Sequence, residues 1–245
     1  MLPPMAKGTR AAPSAPIKAQ DLGRLTDIEA VDLLVNVRKM EIVDVGCGDG
    51  TLARALAERG ANVLGLEPDP IQAAKNRAQP PCSGVTLVEA GAQSIPLENG
   101  TADGVIFSRS LHHVPTKLMG RALCEARRVL KPKGFVVVLE PEIDSPYSQL
   151  MRPFHDESKE RAAAKRALKR LVPKVFRRRR EYTYTTSEVY SDFESFVARM
   201  AGATFNTIRR DRVETPKVRR AFEAGRTNGA YEFEHRMRAH LLLTD

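Results

Sequence analysis

The sequence predicts an α/β fold, with helices covering both faces of a mostly parallel sheet. Three observations predict it. Strand-like and helix-like segments alternate from residue 41 to residue 139, the strand-like segments are almost wholly apolar, and a glycine-rich turn joins the first strand to the next helix. Alternation requires parallel strands with right-handed crossovers, and apolar strands are typical of a sheet that is covered on both faces.

Five strands and three helices account for this first half. The strands are predicted at 41–45, 62–66, 85–89, 102–107 and 135–139, and the helices at 51–59, 70–78 and 118–130. Gly60 ends the first of these helices, and Pro70 begins the second. Pro132 stops the third helix, and Gly134 turns the chain into the fifth strand. A further helix at 28–37 leads into the sheet.

The alternation stops after residue 140. Segment 141–190 contains no strand of the earlier type, and a helix is predicted at 156–171, with acids at its start and bases at its end. We interpret 141–190 as a helical lid inserted after the fifth strand. A helix at 187–200 follows, and two strands at 204–213 and 231–243 complete a seven-stranded sheet whose C-terminal strand is antiparallel.

Composition and charge narrow the class of protein. The chain has 245 residues and a net charge of +9, and its longest apolar runs, such as FVVVL, are too short to span a bilayer. Residues 1–24 are predicted to be a disordered arm without the apolar core of a signal peptide, and residues 25–245 are predicted to form one domain.

Cys47, Cys82 and Cys124 cannot all pair, so we expect reduced thiols in a cytoplasmic protein. CxxC spacing is absent, and no metal site is predicted.

The glycine-rich turn at 43–50 reads VDVGCGDG. It lies between a strand and a helix, where an open parallel sheet binds ligands beyond the carboxyl ends of its strands. Glu67 ends the next strand and can accept hydrogen bonds from two ribose hydroxyls, so the ligand is expected to contain a nucleoside. The P-loop pattern and the dinucleotide pattern GxGxxG are both absent. Asp44 and Asp49 add negative charge, which suits an ammonium or sulfonium group better than a pyrophosphate.

Four motifs in order resemble the class I S-adenosylmethionine-dependent methyltransferases. EIVDVGCGDGTLA resembles their first motif, LGLEPD their ribose-binding acid, TADGVIFSRSLHHV their fourth-strand motif, and ARRVLKPKGFVVVLEP their fifth strand with the helix and turn before it. These motifs cover about 41–142, and the small-molecule enzymes of ubiquinone and menaquinone biosynthesis are the most similar. The resemblance implies a Rossmann-like three-layer sandwich and S-adenosyl-L-methionine as the cofactor.

The resemblance also implies roles for particular residues. Gly46, Cys47 and Gly48 would wrap the aminocarboxypropyl end of the cofactor. Asp44 would lie close to its ammonium group, and Glu67 would hold the ribose. The remaining cofactor contacts that the resemblance implies are Pro68, Ala92 and Gln93 around the adenine, and Ser108 on the opposite side.

Two positions depart from the family pattern. Many relatives have an aspartate that holds the adenine amino group where this chain has Gly91. Glu89 is a candidate to replace that aspartate. The Gly-Gly that commonly follows LKP is Lys133 and Gly134 here, a change that we expect to affect only a turn.

Two histidines, His112 and His113, follow the fourth strand on the side of the crevice that faces the expected methyl group. Either could deprotonate a substrate hydroxyl, amine or thiol as a general base. The alternative is that one histidine caps the following helix and the other packs beneath it. We predict His112 as the catalytic residue, with His113 as second choice, because His112 lies about one turn beyond Ser108.

A basic segment at 165–180 holds nine lysines and arginines in sixteen residues. It is either a solvated face or part of a lid that favours an acidic acceptor. The sequence therefore predicts methyl transfer to a small-molecule acceptor. The alternatives are a methyltransferase acting on RNA or protein, which would dock through Arg177–Arg180, and a non-catalytic S-adenosylmethionine-binding protein. The atom methylated and the oligomeric state stay open.

Overall fold

Nine strands form one sheet in the computed structural model of the chain, which describes residues 19–202 and 208–244. The strands are β1 Gln20–Arg24, β2 Glu41–Val45, β3 Asn62–Leu66, β4 Val85–Val88, β5 Ala102–Ser108, β6 Leu130–Pro141, β7 Arg178–Tyr190, β8 Arg226–Thr227 and β9 Ala230–Leu243. The helices are α1 Asp27–Leu34, α2 Thr51–Glu58, α3 Pro70–Arg77, the 3₁₀ helix Leu111–His113, α4 Met119–Val129, α5 Pro146–Met151, α6 Ser158–Val175, α7 Phe193–Ala201, α8 Arg210–Val213 and α9 Pro216–Glu223. None of the helices in these residues is long and apolar enough to cross a membrane.

The sheet has the order β4-β3-β2-β5-β6-β9-β7-β1, and the short β8 pairs with β9. β2 pairs in parallel with β3 and β5, β3 with β4, and β5 with β6, so the carboxyl ends of these five strands meet at one edge. One buried apolar cluster joins the sheet to α4 and α6, and a second joins it to α1 and α2. The predicted three-layer α/β sandwich is therefore confirmed.

The last long strand, β9, is antiparallel, as the sequence predicts. It pairs with β6 on one side and with β7 on the other, so it lies inside the sheet. Phe135 and Leu243 are opposite each other at one end of the β6–β9 ladder, and Pro141 and Met237 at the other. Beyond Pro141, β7 and β9 continue as a two-stranded arm past the carboxyl edge of the sheet.

Two predictions for the second half of the chain are wrong. Segment 141–190 is not wholly a helical insertion, because its final part is β7. The sequence of β7, RRREYTYTTSEVY, contains the β-branched and aromatic residues that favour strands. The strand predicted at 204–213 is contradicted at Arg210–Val213, which is helical, whereas residues 203–207 lie outside the described part of the chain. β7 thus takes the place of that strand.

The segment before α1 joins the sheet. Gln20–Arg24, which the sequence assigns to a disordered arm, forms β1 and pairs in parallel with β7, so the arm prediction is wrong there. Residues 1–18 lie outside the described part of the chain. Pairing at an edge uses main-chain groups, and the sequence QDLGR carries no alternating apolar pattern from which a strand would be predicted. Thr26 then caps α1 in a capping box with Glu29.

A third buried apolar cluster fixes the β7–β9 arm against α5, α7 and α9. Its rings include Tyr147, Tyr190, Phe196, Phe222 and Phe233. The hydroxyls of Tyr147 and Tyr190 are 2.7 Å apart. This cluster holds the arm and α5 beyond the carboxyl edge of the sheet, beside the ends of β5 and β6.

Candidate active site

The glycine loop between β2 and α2 is tied to the end of β3. The backbone N–H groups of Gly46 and Cys47 donate to the carbonyl oxygen of Leu66 at 2.8 and 3.0 Å. Gly46 has a φ of +71°, and a Cβ added there would lie 2.6 Å from the Cβ of Ser110. Only glycine therefore lets the loop approach the segment after β5, which carries the two histidines.

The carboxylate of Glu67 fixes the next part of the loop. Its Oε2 accepts the backbone N–H of Gly48 at 2.9 Å, and its Oε1 accepts that of Asp69 at 2.8 Å. Asn76 of α3 donates to the carbonyl oxygen of Gly48 at 2.7 Å. Burial raises the pKa of Glu67, and these backbone hydrogen bonds oppose the rise. Glu67 is thus an oriented carboxylate at the carboxyl end of β3, as the sequence predicts.

Asp44 lies beneath the loop and is only 1% exposed. Its Oδ2 has no hydrogen-bond partner among the described residues. Burial, together with the charge of Glu67, raises the pKa of Asp44 to about 7. A buried carboxyl oxygen without a partner is costly, and it suits a site that receives a positively charged ligand.

The thiol of Cys47 packs into the sheet. A Cβ added to Gly65 on β3 would lie 2.9 Å from its Sγ. Burial, with the charges of Asp44 and Glu67, raises the pKa of Cys47. Cys47 is therefore a small buried side chain and an unreactive thiol.

The residues expected around the adenine lie after β3 and β4. Pro68 is exposed, Ala92 is buried and Gln93 is half-buried. A Cβ added to Gly91 would lie 2.5 Å from the Nε2 of Gln93, so the Gln93 amide fills the space that an aspartate would need. Glu89 forms an exposed ion pair with Arg77 at 3.3 Å.

Ser108 belongs to a second polar network at the end of β5. Its hydroxyl donates to Oδ2 of Asp27 at 2.9 Å, and Arg109 binds both carboxylate oxygens of Asp27, with Nε–Oδ2 at 2.8 Å. Arg109 also reaches Glu188 of β7 at 3.0 Å, and the Tyr184 hydroxyl donates to Asp27 at 2.7 Å. Burial raises the pKa of Asp27, but the charge and hydrogen bonds of Arg109 outweigh it and lower the pKa overall.

This network joins α1, β5 and β7. The sequence did not indicate roles for Asp27, Arg109 or Glu188. Asp27 and Arg109 are separated by 82 residues and belong to elements that no local pattern links. The one local signal is Arg109 itself, which has a φ of +52°, a left-handed conformation that is uncommon in a residue other than glycine.

His112 is enclosed between two carboxylates. It is 3% exposed, its Nδ1 is 2.6 Å from Oε2 of Glu140, and its Nε2 is 3.6 Å from Oε2 of Glu157. Burial lowers the pKa of His112, but Glu140 and Glu157 outweigh it and raise the pKa to about 9. Both ring nitrogens thus face acids, so this placement does not favour His112 as the general base.

His113 is more accessible. Its side chain is 37% exposed, and its Nδ1 is 3.7 Å from Oε1 of Glu157. Burial and the charge of His112 lower the pKa of His113 to about 4. Glu157 also binds Arg161 at 2.6 Å, so the residues that begin α6 hold the histidine pair from the side opposite β6.

The arginine run lies far from this site. Arg178 is level with Leu243 and Phe135, at the amino end of β6, whereas Tyr184 is level with Pro141 at its carboxyl end. Six strand residues separate the two levels, or roughly 20 Å. The prediction that Arg177–Arg180 belongs to a lid over the cofactor crevice is therefore wrong.

A comparison with protein families identifies the central part of the chain. Residues 43–138 match the model of the family described as "Methyltransferase domain". This segment is similar to methyltransferase domains. The match includes the glycine loop, Glu67 and both histidines.

Two other proteins are similar to part of this chain. An uncharacterized methyltransferase of Mycobacterium tuberculosis is 34% identical over 106 residues, which are 43% of this chain and 42% of the relative. A ubiquinone biosynthesis O-methyltransferase of Colwellia psychrerythraea is 34% identical over 112 residues, 44% of this chain and 45% of the relative. The chain thus covers less than half the length of either relative.

The methyltransferase fold extends beyond that segment. A crystal structure of a candidate methyltransferase from Bacillus halodurans superimposes with a TM-score of 0.58 at 16% identity, covering 89% of this chain and 98% of the other. The mostly parallel sheet with its antiparallel C-terminal strand is therefore a Rossmann-like methyltransferase fold.

Proposed function

We propose that this protein transfers the methyl group of S-adenosyl-L-methionine to a small-molecule acceptor. The observation that carries the proposal is the pair of buried acids around the glycine loop. Asp44 has an oxygen without a partner among the described residues, and Glu67 is held by two backbone N–H groups. Both acids lie within the segment that matches the methyltransferase family.

The residues present fit this cofactor. The Asp44 carboxyl is suited to the ammonium group of the cofactor, because a charged ligand would complete its hydrogen bonding. The oxygens of Glu67 each accept one backbone N–H and keep a second lone pair for a ribose hydroxyl. A Cβ added to Gly48 would meet nothing within 4 Å, so the loop is open where a ligand must lie against it. The other proposed cofactor contacts are Gly46, Cys47, Pro68, Ala92, Gln93 and Ser108.

The cofactor supplies an activated methyl group on a positively charged sulfur. The protein must then align the acceptor with that methyl group and exclude water. The arm of β7 and β9, with α5, is positioned to cover the carboxyl edge of the sheet. We assign His113 to the acceptor side, because its ring is partly exposed, and His112 to positioning, because two carboxylates hold it.

The class of acceptor rests on two observations. The relatives with known activity act in quinone biosynthesis, as an O-methyltransferase in Colwellia and a C-methyltransferase in Campylobacter, and quinones are small molecules. The basic run that could dock RNA or protein lies at the opposite edge of the sheet. A small-molecule acceptor is therefore favoured over a macromolecule.

Calorimetry with S-adenosylhomocysteine tests the cofactor site. Glu67→Ala removes charge-assisted hydrogen bonds worth roughly 1.5–3 kcal/mol, so affinity should fall about ten- to a hundredfold. Glu58→Ala is the control, because Glu58 is an exposed acid at the end of α2 that is farther from the glycine loop. Equal affinity in a folded Glu67→Ala variant would contradict the assignment.

A further inference from the structure

The two histidines and Glu157 bring three potential metal ligands together. The donor atoms of His112, His113 and Glu157 all lie within 4.8 Å of one another. The Nε2 of His112 and the Nδ1 of His113 are 3.6 and 3.7 Å from the carboxylate oxygens of Glu157. Ligands bound to one ion at zinc-like distances are about 3.3–3.6 Å apart in a tetrahedral arrangement. Small side-chain movements would therefore suffice to close the set around an ion.

Glu140 orients the first of these ligands. Its Oε2 is 2.6 Å from the Nδ1 of His112, and its Oε1 accepts the backbone N–H of Leu111 at 3.1 Å. Metal-binding histidines almost always donate their second ring nitrogen to a carboxylate or carbonyl in this way. The contact leaves the Nε2 of His112 directed at Glu157.

Two other side chains already bind Glu157. Arg161 donates to Oε2 at 2.6 Å, and His155 lies 2.8 Å from Oε1. They hold the carboxylate in position, and they also balance charge. With His112, His113 and His155 neutral, Glu140 and Glu157 against Arg161 leave one net negative charge. That charge attracts a cation, either a proton on His112 or a metal ion.

We propose that His112, His113 and Glu157 form a binding site for a divalent first-row transition-metal ion. Two imidazoles and one carboxylate suit zinc and its neighbours better than calcium or magnesium, which prefer oxygen ligands alone. Three protein ligands leave an open position, as in catalytic zinc sites. His113, which is partly exposed, gives the ion a route from solvent.

The open position has a consequence for the reaction. It would bind an oxygen or nitrogen of the acceptor beside the carboxyl ends of β5 and β6. This consequence rests on the proposed function, whereas ion binding does not. No metal site is predicted from the sequence, because Glu157 lies beyond the family motifs and reaches the two histidines only through the fold.

The test is ion binding by the untagged, chelator-treated protein without cofactor or acceptor. Cys82→Ser and Cys124→Ser are included in every sample, because these free thiols are not fully buried and could bind metal themselves. Co²⁺ is titrated by its visible absorption and Zn²⁺ by calorimetry. One equivalent is expected, with affinity at least tenfold lower in His113→Ala and in Glu157→Gln. Glu160→Gln, an exposed acid in the first turn of α6, should bind like the parent.

Two results would overturn the proposal: no saturable binding, or binding whose affinity is unchanged in His113→Ala. The cluster would then bind no metal ion, and its contacts would serve only to connect α6 with β6. His113→Ala decides the matter even if Glu157→Gln fails to fold, because His113 is partly exposed and leaves the His112–Glu140 contact intact. Failure here would leave cofactor binding by Glu67 unaffected.

Discussion

Asp44 should make the stability of the free protein depend on pH in an unusual direction. Its pKa is raised from 3.8 to about 7 by burial and by the charge of Glu67. The folded state therefore binds a proton more tightly than the unfolded state does. The stabilisation is fully present below the unfolded pKa of 3.8 and is lost as pH rises through about 7.

The magnitude follows from the shift. Each pKa unit corresponds to about 1.36 kcal/mol, so a shift of about three units is worth about 4 kcal/mol in full. When the pH falls from about 8.5 to about 5, about two of these units are realised, which stabilises the folded state by about 3 kcal/mol. Asp44→Asn mimics the protonated form, so its stability should lack this contribution to the pH dependence.

Urea denaturation without cofactor measures the effect. The free energy of unfolding of Asp44→Asn minus that of the wild type should be about 3 kcal/mol larger at about pH 8.5 than at about pH 5. Contributions from other titrating groups cancel in this comparison, and so does any fixed cost of the amide. A difference that is the same at both pH values would refute the reasoning. Affinity for S-adenosylhomocysteine should fall in the same variant, because the amide carries no charge for the ammonium group.

Three further results are expected. Gly46→Ala should lower the free energy of unfolding by about 1–3 kcal/mol in urea, because of its positive φ and the approach of Ser110; unchanged stability would contradict the loop geometry. With an identified acceptor, four Gln substitutions at Arg177–Arg180 should leave the acceptor KM unchanged. A raised KM would show that these arginines contribute to acceptor binding. His113→Ala should lower kcat/KM for that acceptor at least tenfold while cofactor affinity stays the same, and an unchanged kcat/KM would remove His113 from the acceptor side.

The first half of the fold could be predicted because its signals are local. Apolar strands, the glycine turn and Pro70 at the start of α3 each depend on neighbouring residues in the chain. The same locality applies to the glycine loop. Glu67 ends β3, and parallel pairing of β2 with β3 brings it to Gly48 without any long-range information.

The second half depended on contacts that the sequence does not display. β7 begins with four charged residues, which do not indicate a strand. It is a strand because pairing with β9 satisfies its backbone hydrogen bonds. The helix predicted at 187–200 begins only at Phe193, because the residues up to Tyr190 belong to β7. Asp192 caps this helix. β1 is a strand because β7 lies beside it, and its own sequence does not favour one.

The polar contacts of the acceptor side could not be predicted for the same reason. His112 reads as a candidate base because it follows β5 near the crevice. Its chemistry is decided by Glu140, 28 residues away, and by Glu157 at the start of α6. Arg109 is likewise fixed by Asp27 of α1 and Glu188 of β7. Ion pairs between distant elements depend on how the fold brings those elements together, and local sequence patterns do not show this.

Transfer of a labelled methyl group tests the central claim most directly. The protein is incubated with methyl-labelled S-adenosylmethionine and a cell extract divided into small-molecule, RNA and protein fractions, and each is analysed by mass spectrometry. Glu67→Ala serves as the control with a weakened cofactor site. We expect S-adenosylhomocysteine and one labelled product in the small-molecule fraction, both strongly reduced with Glu67→Ala. Label confined to RNA or protein would contradict the small-molecule acceptor, and cofactor binding without S-adenosylhomocysteine in any fraction would contradict methyl transfer itself.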